Sequence, residues 1–187
     1  MKVVSNHLYA ASPAAVFAAM TTPEVLTQKY TALGHRDVQI LEHVEAHGRV
    51  RVHSRRGVPM DVPGFARRFL APVNTVEQTD EWSAPEPDGS RRGTWRVSAS
   101  GVPVTTGGTL RLEPAVGGGT TVEVAGEVTC SIPLVGGKIA SFVGADVAKT
   151  MRGEEDFNDR YLTDHPEHAA KARTSPTARP SAKRSSH

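Results

Sequence analysis

The sequence predicts an α+β fold in which a curved antiparallel sheet of about six to seven strands wraps around a long C-terminal helix. Apolar and polar residues alternate along several short segments, which is typical of strands that are covered on one face only. Two short helix-start patterns follow the first of these segments. One long segment with apolar residues at three-and-four spacing then ends the patterned part of the chain. The 187 residues are enough to bury a sizeable core.

The first three elements are predicted by alternation and by helix-start residues. Residues 2–10 alternate polar and apolar side chains and predict a strand. Ser12 is suited to an N-cap and Pro13 to the first helical position, so a short helix should begin there. Thr22-Pro23 repeats that pattern, and Gly34 is placed to end the second short helix.

A series of strands follows the two helices. Residues 36–46 and 49–56 alternate and predict a hairpin across His47-Gly48. Residues 57–72 hold three prolines and predict a loop with one short helical turn. Further alternation predicts strands over 73–83, 94–100, 108–113 and 120–130.

The last predicted element is a helix over about 133–162. Its apolar positions have the spacing of an amphipathic helix, and Asp156, Asp159 and Arg160 are expected to face away from the core. A strongly twisted sheet around one helix leaves a hollow unless bulky side chains fill it. Because aromatic residues are only 5% of the chain, we expect part of this interior to be open.

Charge and composition divide the chain into two regions. Residues 1–162 carry 17 Lys and Arg against 18 Asp and Glu, whereas 163–187 carry five Lys and Arg against Asp164 and Glu167. The second region is rich in Ser, Thr, Pro and Ala, and this composition is typical of disorder. We therefore predict one domain over 1–162 and a disordered basic tail over 163–187. No specific nucleic-acid partner is indicated, because the tail cations have no aromatic residues between them.

Several functional classes find no support in the sequence. No segment is apolar for long enough to span a membrane and the first twenty residues do not resemble a secretion signal, so a cytoplasmic protein is expected. Cys130 is the only cysteine, and the eight histidines lack metal-ligand spacing, so neither a metal nor another cofactor is predicted. No Gly-x-Ser-x-Gly elbow is present, and Gly117-Gly118-Gly119 lies between two strands as a turn.

Two segments resemble a known superfamily. YAASPAAVFAAMTTPE, at 9–24, is similar to the opening of START-like (SRPBCC) domains, which have a helix-grip fold and include lipid-transfer domains, pollen-allergen-like binders and polyketide cyclases. GEVTCSIPLVGGKIASFV, at 126–143, resembles the strand-to-helix junction of an actinobacterial branch of unknown function. With Gly-Val-Pro at 101–103 and Trp82, the resemblance covers residues 2–162. It implies a cavity for a hydrophobic ligand and no fixed catalytic motif.

The candidate site consists of the residues that this arrangement directs toward the hollow. Phe65 and Phe69 lie in the proline-rich loop, where they would form a lid over the open end. The same aromatics could instead be ordinary core residues. Asp80 and Gln78 share a predicted strand face with Trp82, and His7 is the other candidate for acid–base work. The predicted ligand-binding residues are Val50, Val52, Phe65, Phe69, Trp82, Trp95, Val97, Leu110, Leu112, Phe142, Val143 and Val147.

Three functions follow from the sequence as alternatives. The favoured one is binding or carriage of a small lipid-like or polyketide-like ligand between the sheet and the last helix. The second is an enzyme of the cyclase or dehydratase type, in which Asp80 or His7 moves protons within the same cavity. The third is a protein-interaction module that uses an apolar groove or the basic tail. The ligand and the oligomeric state are not indicated by the sequence.

Overall fold

The structure is a computed structural model, and it describes residues 1–166. Seven strands and three α-helices follow one another in the predicted order, with one 3-10 turn at Gly64–Ala66. The elements are β1 (Lys2–Tyr9), α1 (Pro13–Thr21), α2 (Pro23–Ala32), β2 (Arg36–Ala46), β3 (Arg49–Pro59), β4 (Val73–Trp82), β5 (Arg91–Ala99), β6 (Val104–Pro114), β7 (Thr120–Cys130) and α3 (Gly136–Asp164). Beyond residue 166, the predicted tail lies outside the described residues.

The seven strands form one antiparallel sheet in the order β1-β7-β6-β5-β4-β3-β2. Strands β2 to β7 are joined as successive hairpins, and β1 pairs with β7 at the other edge. His47 and Gly48 both have positive φ in the β2–β3 turn, the backbone that a two-residue hairpin requires. The predicted helix-grip architecture is confirmed, with seven strands in the sheet.

The two short helices begin at the predicted prolines. The backbone N–H of Ala15 donates to Ser12 Oγ at 3.4 Å, which caps α1 directly before Pro13. Pro23 occupies the first turn of α2, and Gly34 follows its end with φ of +79°. Both helices bury apolar side chains against the sheet and α3, and these include Val16, Phe17, Val25, Leu26 and Tyr30.

The long helix packs along the sheet but begins later than the sequence predicted. Leu134 has a positive φ, and a tight turn at Pro133 precedes the first helical residue, Gly136. Helix α3 continues two residues past the predicted end, to Asp164. Its contacts with β1, β7, α1 and α2 place it across the concave face of the sheet. None of the helices in residues 1–166 has the length and apolarity needed to cross a membrane.

Candidate ligand cavity

A cavity of about 180 Å³ lies between the concave face of the sheet and α3. Its walls come from α2, from inward residues of the strands, from the β3–β4 and β5–β6 connections and from one face of α3. Apolar side chains form most of this lining. Those from the predicted binding set are Trp82, Trp95, Val97, Leu110, Val143 and Val147.

Glycines make room for the two tryptophans of this lining. Trp95 lies against β7 and donates from Nε1 to the carbonyl of Ala125 at 3.2 Å. A Cβ on Gly126 would stand 2.6 Å from the Trp95 ring, and one on Gly93 would stand 3.1 Å from the Trp82 ring. The absence of side chains at these two strand positions therefore sets where both indoles lie.

The other half of the predicted set does not line the cavity. Val50, Val52 and Leu112 are buried in the core instead, and Phe17 of α1 packs edge-on against Trp82. Phe142 is half-buried against the core on α3. Helix α1 also contributes to the cavity wall through Met20.

The β3–β4 connection presents different side chains from those predicted. Phe65 is 47% exposed in the 3-10 turn, and Phe69 is half-buried against the core. Met60 and Leu70 of the same connection line the cavity instead. The short turn directs Ala66 and Leu70 inward and leaves Phe65 outside, and neither phenylalanine lines the cavity.

A buried guanidinium organises the polar end of the cavity. Arg56 donates from Nε to His35 Nδ1 at 3.2 Å, from Nη1 to Ser54 Oγ at 3.2 Å and from Nη2 to Gln78 Oε1 at 2.6 Å. Its guanidinium carbon lies 3.9 Å from the centre of the Tyr30 ring, within cation–π distance. The buried charge is therefore held by neutral acceptors and one aromatic face.

Burial and this cation together keep His35 neutral. Removal from water lowers the pKa of His35 to about 4, and the positive charge of Arg56 acts in the same direction. A neutral imidazole can accept the Arg56 hydrogen bond at Nδ1.

Asp80 is the acid that faces the cavity from β4. Gln78 Nε2 donates to its two carboxylate oxygens at 2.9 and 3.0 Å, so Gln78 connects Asp80 to Arg56. Burial raises the pKa of Asp80 to about 6, and this outweighs the lowering effect of the Gln78 hydrogen bond. The carboxyl is thus able to gain or lose a proton near neutral pH.

A buried ion pair links α2 to α3 beside this cluster. Lys29 Nζ lies 3.2 Å from Glu154 Oε2, and the Lys29 side chain is only 3% exposed. Both residues line the cavity. The pair balances one positive and one negative charge that would otherwise be costly to bury.

A second polar group joins β1 to the C-terminal half of α3. His7 Nε2 lies 2.7 Å from Asp159 Oδ2, and Ser5 Oγ donates to Glu155. Asp159 was expected to face away from the core; its side chain is 45% exposed and does not line the cavity, although it reaches His7. Because α3 runs along the edge strand, a residue on the helix flank reaches the inward side chain of His7.

The family of the chain follows from its sequence. The sequence model described as "Protein of unknown function (DUF2505)" matches residues 5–162. The chain belongs to this family. No protein of curated function matches the chain in sequence.

Solved structures with low sequence identity share the fold of this DUF2505 member. Zhui aromatase/cyclase from Streptomyces sp. R1128 has a TM-score of 0.60 and 14% identity, over 89% of this chain and 95% of its own. TTHA0849 from Thermus thermophilus has a TM-score of 0.57 and 16% identity, over 84% and 97%. Ara h 8.0201 has a TM-score of 0.55 and 13% identity, over 88% and 98%. These likenesses establish the helix-grip fold.

The charged residues of the cavity that the sequence analysis missed include Lys29, Arg56 and Glu154, whereas His7, Gln78 and Asp80 were among its candidates. Arg56 continues the inward alternation of Val50 and Val52 on β3, and Lys29 lies one helical turn from Val25 and Leu26. Glu154 likewise lies on the face of α3 that carries Val147 and Met151. A charged residue in phase with a buried face is the sequence pattern that would have found them.

The described part of the chain offers no metal centre. Residues 1–166 contain no group of three or more His, Cys, Asp or Glu side chains arranged to hold an ion. Cys130 is half-buried and carries a free thiol.

Proposed function

We propose that this protein binds or carries a small hydrophobic ligand in the cavity between the sheet and α3. The observation that carries the proposal is a hollow of about 180 Å³ whose lining is mostly apolar and includes both tryptophans. Affinity would come from the burial of apolar area at roughly 25 cal/mol per Å², less the cost of ordering the complex.

The volume limits the size of the ligand. An apolar cavity of about 150 Å³ is large enough to hold benzene. A cavity of about 180 Å³ therefore suits one aromatic ring with a short substituent, or a short acyl chain. This favours a ring-sized or short-chain ligand over a lipid with a long chain.

An alkylbenzene series tests this proposal. Benzene, toluene, ethylbenzene and propylbenzene would be titrated into the protein, with calorimetry or amide chemical shifts as the readout. We expect saturable binding that strengthens about fourfold with each added methylene, since burial of one such group contributes about 0.8 kcal/mol. Affinity should stop rising once the cavity is full.

Two substitutions test whether the ligand binds in the cavity. Val147→Phe adds a ring to the cavity wall on α3 and should weaken toluene binding at least tenfold. Val44→Phe adds the same ring on β2, at a position that is exposed and outside the cavity, and should leave binding unchanged. The proposal fails if no alkylbenzene binds saturably, or if both variants behave alike.

A second candidate function is favoured by Asp80. A carboxyl with a pKa of about 6 that faces a mostly apolar cavity is suited to general acid–base catalysis, as in a cyclase or dehydratase. Under this alternative, Asp80→Asn abolishes turnover and leaves alkylbenzene binding intact. Turnover that survives Asp80→Asn would remove the acid–base role of this residue.

A further inference from the structure

Asn158 is the buried polar side chain of the cavity that lacks a full set of partners. It lies on α3, is only 2% exposed and lines the cavity. Its Nδ2 donates to the Tyr9 hydroxyl at 3.3 Å, whereas Oδ1 has no hydrogen-bond partner within residues 1–166. Leaving a buried carbonyl oxygen unpaired is unfavourable, so a ligand group that donates to it is favoured at this position.

The groups around Asn158 are rich in acceptors. Glu154 lies one helical turn away on the same face of α3, Glu155 lies beside it, and Asp80 faces them from the sheet. With Asp146 at the wall formed by α3, four carboxyl groups line the cavity. This set favours a ligand that donates hydrogen bonds.

The two lining side chains with permanent positive charge are already engaged. Lys29 is paired with Glu154, and Arg56 donates to three neutral acceptors and stacks on Tyr30. A carboxylate ligand would therefore add negative charge to a cavity that holds four acidic groups, and within residues 1–166 neither lining cation is free to receive it. An ammonium ligand would have to lose its hydration beside carboxyl groups that already have partners. Glu154 is paired with Lys29, Glu155 accepts from Ser5, and Asp80 accepts from Gln78.

We propose that Asn158 Oδ1 is the acceptor for an uncharged hydroxyl on the ligand, so that the protein selects an alcohol or phenol with a small apolar body. This inference rests on the proposed function and names the polar group of its ligand. The apolar body would lie among Val97, Val143 and Val147, and the hydroxyl would reach the Tyr9–Asn158 pair.

The test compares probes that share one ring and differ in their polar group. Toluene has none, benzyl alcohol donates and accepts, benzaldehyde only accepts, and benzoate is a charged acceptor. Each would be titrated into wild-type protein and into Asn158→Leu, which keeps the approximate volume and removes the amide. The measured quantity is the affinity of each probe relative to toluene, because this ratio cancels the effect of the substitution on the apolar part of the site.

We expect Asn158→Leu to lower the relative affinity of benzyl alcohol at least tenfold and to leave that of benzaldehyde unchanged within twofold. Benzoate should bind most weakly to the wild type. Thr21→Val is the matched control, because Thr21 is a buried polar residue that does not line the cavity, and it should leave the benzyl alcohol ratio unchanged. Thermal denaturation checks the folding of each variant.

The outcomes separate the two proposals. If toluene binds but the benzyl alcohol ratio is the same in wild type and Asn158→Leu, the assignment of Asn158 is overturned and the cavity proposal stands. An equal loss for benzaldehyde would mean that Asn158 presents its Nδ2, which also overturns it. If Asn158→Leu does not fold, the double variant Tyr9→Phe with Asn158→Leu removes both polar partners and gives the same comparison. Absence of toluene binding to the wild type defeats both proposals.

Discussion

Two titrating side chains on the cavity wall act on stability in opposite directions. Asp80 has a pKa of about 6 in the folded protein and an ordinary value of 3.8, so the folded state keeps a proton that the unfolded chain releases between these pH values. Stability therefore falls as pH rises through this window. His35 has a folded pKa of about 4 and an ordinary value of 6.5, so the unfolded chain holds a proton that the folded state releases between these pH values. The stability of the folded state therefore rises with pH from about 4 to 6.5.

Asp80→Asn isolates the first of these effects. Above pH 6 the wild type carries the cost of an ionised buried carboxylate, about 3 kcal/mol for a pKa raised from 3.8 to about 6. We expect the variant to be more stable than the wild type at pH 7 to 8, with a gap that closes as pH falls from 6 to below 4. Urea unfolding at a series of pH values measures it. A gap that does not change with pH would contradict the raised pKa.

Gly126 is required by the ring of Trp95. A Cβ there would stand 2.6 Å from both the ring and the carbonyl oxygen of Gly107. We therefore expect Gly126→Ala to lower the free energy of unfolding by about 2 kcal/mol, since overfilled cores typically lose about 1 to 3 kcal/mol. Gly64→Ala is the control, because a Cβ at Gly64 meets nothing within 4 Å. Similar melting temperatures for the two variants would refute this account.

Arg56 shows why single residues of the site escape sequence analysis. Its inward position follows from the two-residue period of β3. Arginine is nevertheless rarely buried in proteins unless its charge has partners, so the residue type alone would suggest a solvent-facing side chain. What retains it inside is a set of partners from other elements: His35 after α2, Gln78 on β4 and the ring of Tyr30. Such partners are distant in the sequence, and no local pattern reveals them.

At the scale of elements, α3 is attached to its neighbours by polar contacts of unequal strength. The Lys29–Glu154 pair joins α2 to α3 in a buried setting, with Lys29 only 3% exposed. The His7–Asp159 pair joins β1 to α3 nearer to solvent, where the Asp159 side chain is 45% exposed. Because solvent screens charges, an exposed pair contributes little to the free energy of unfolding. Removing one partner of a buried pair costs more, because it leaves the other charge buried without compensation.

Substitutions in the two pairs should therefore differ in cost. Lys29→Met leaves Glu154 without its partner and should lower the free energy of unfolding by roughly 3 kcal/mol. Asp159→Asn should cost under about 1 kcal/mol. Adding Glu154→Gln to Lys29→Met should recover most of the loss, because the stranded charge is removed. Equal effects of the two single substitutions in urea unfolding would show that burial does not set the difference.

The order of elements was predictable because each is encoded locally. Ser12-Pro13 and Thr22-Pro23 mark the helix starts, and His47-Gly48 marks the first hairpin. The cavity lining was only partly predictable, since strand alternation gives the face of a residue and not its distance from a helix that packs on that face. Val50 and Trp82 are register partners, yet α1 packs over this region and only Trp82 lines the cavity.

At the scale of the whole molecule, the predicted domain and tail can be separated experimentally. The sheet, its helices and the cavity lining all lie within residues 1–166, and α3 ends at Asp164. The segment that follows is rich in Ser, Thr, Pro, Ala and charge, which is the composition on which the predicted boundary rests.

We therefore expect a chain that ends at Pro166 to keep the melting temperature and the toluene affinity of the full chain. A chain that ends at Asp156 is the matched control, because it removes Asn158, Asp159 and the buried Leu162 from α3 and should be markedly less stable. Thermal denaturation and toluene titration of the three chains measure both quantities. If removal of 167–187 alone weakened toluene binding, the tail would belong to the binding unit, and the boundary drawn from composition would be wrong.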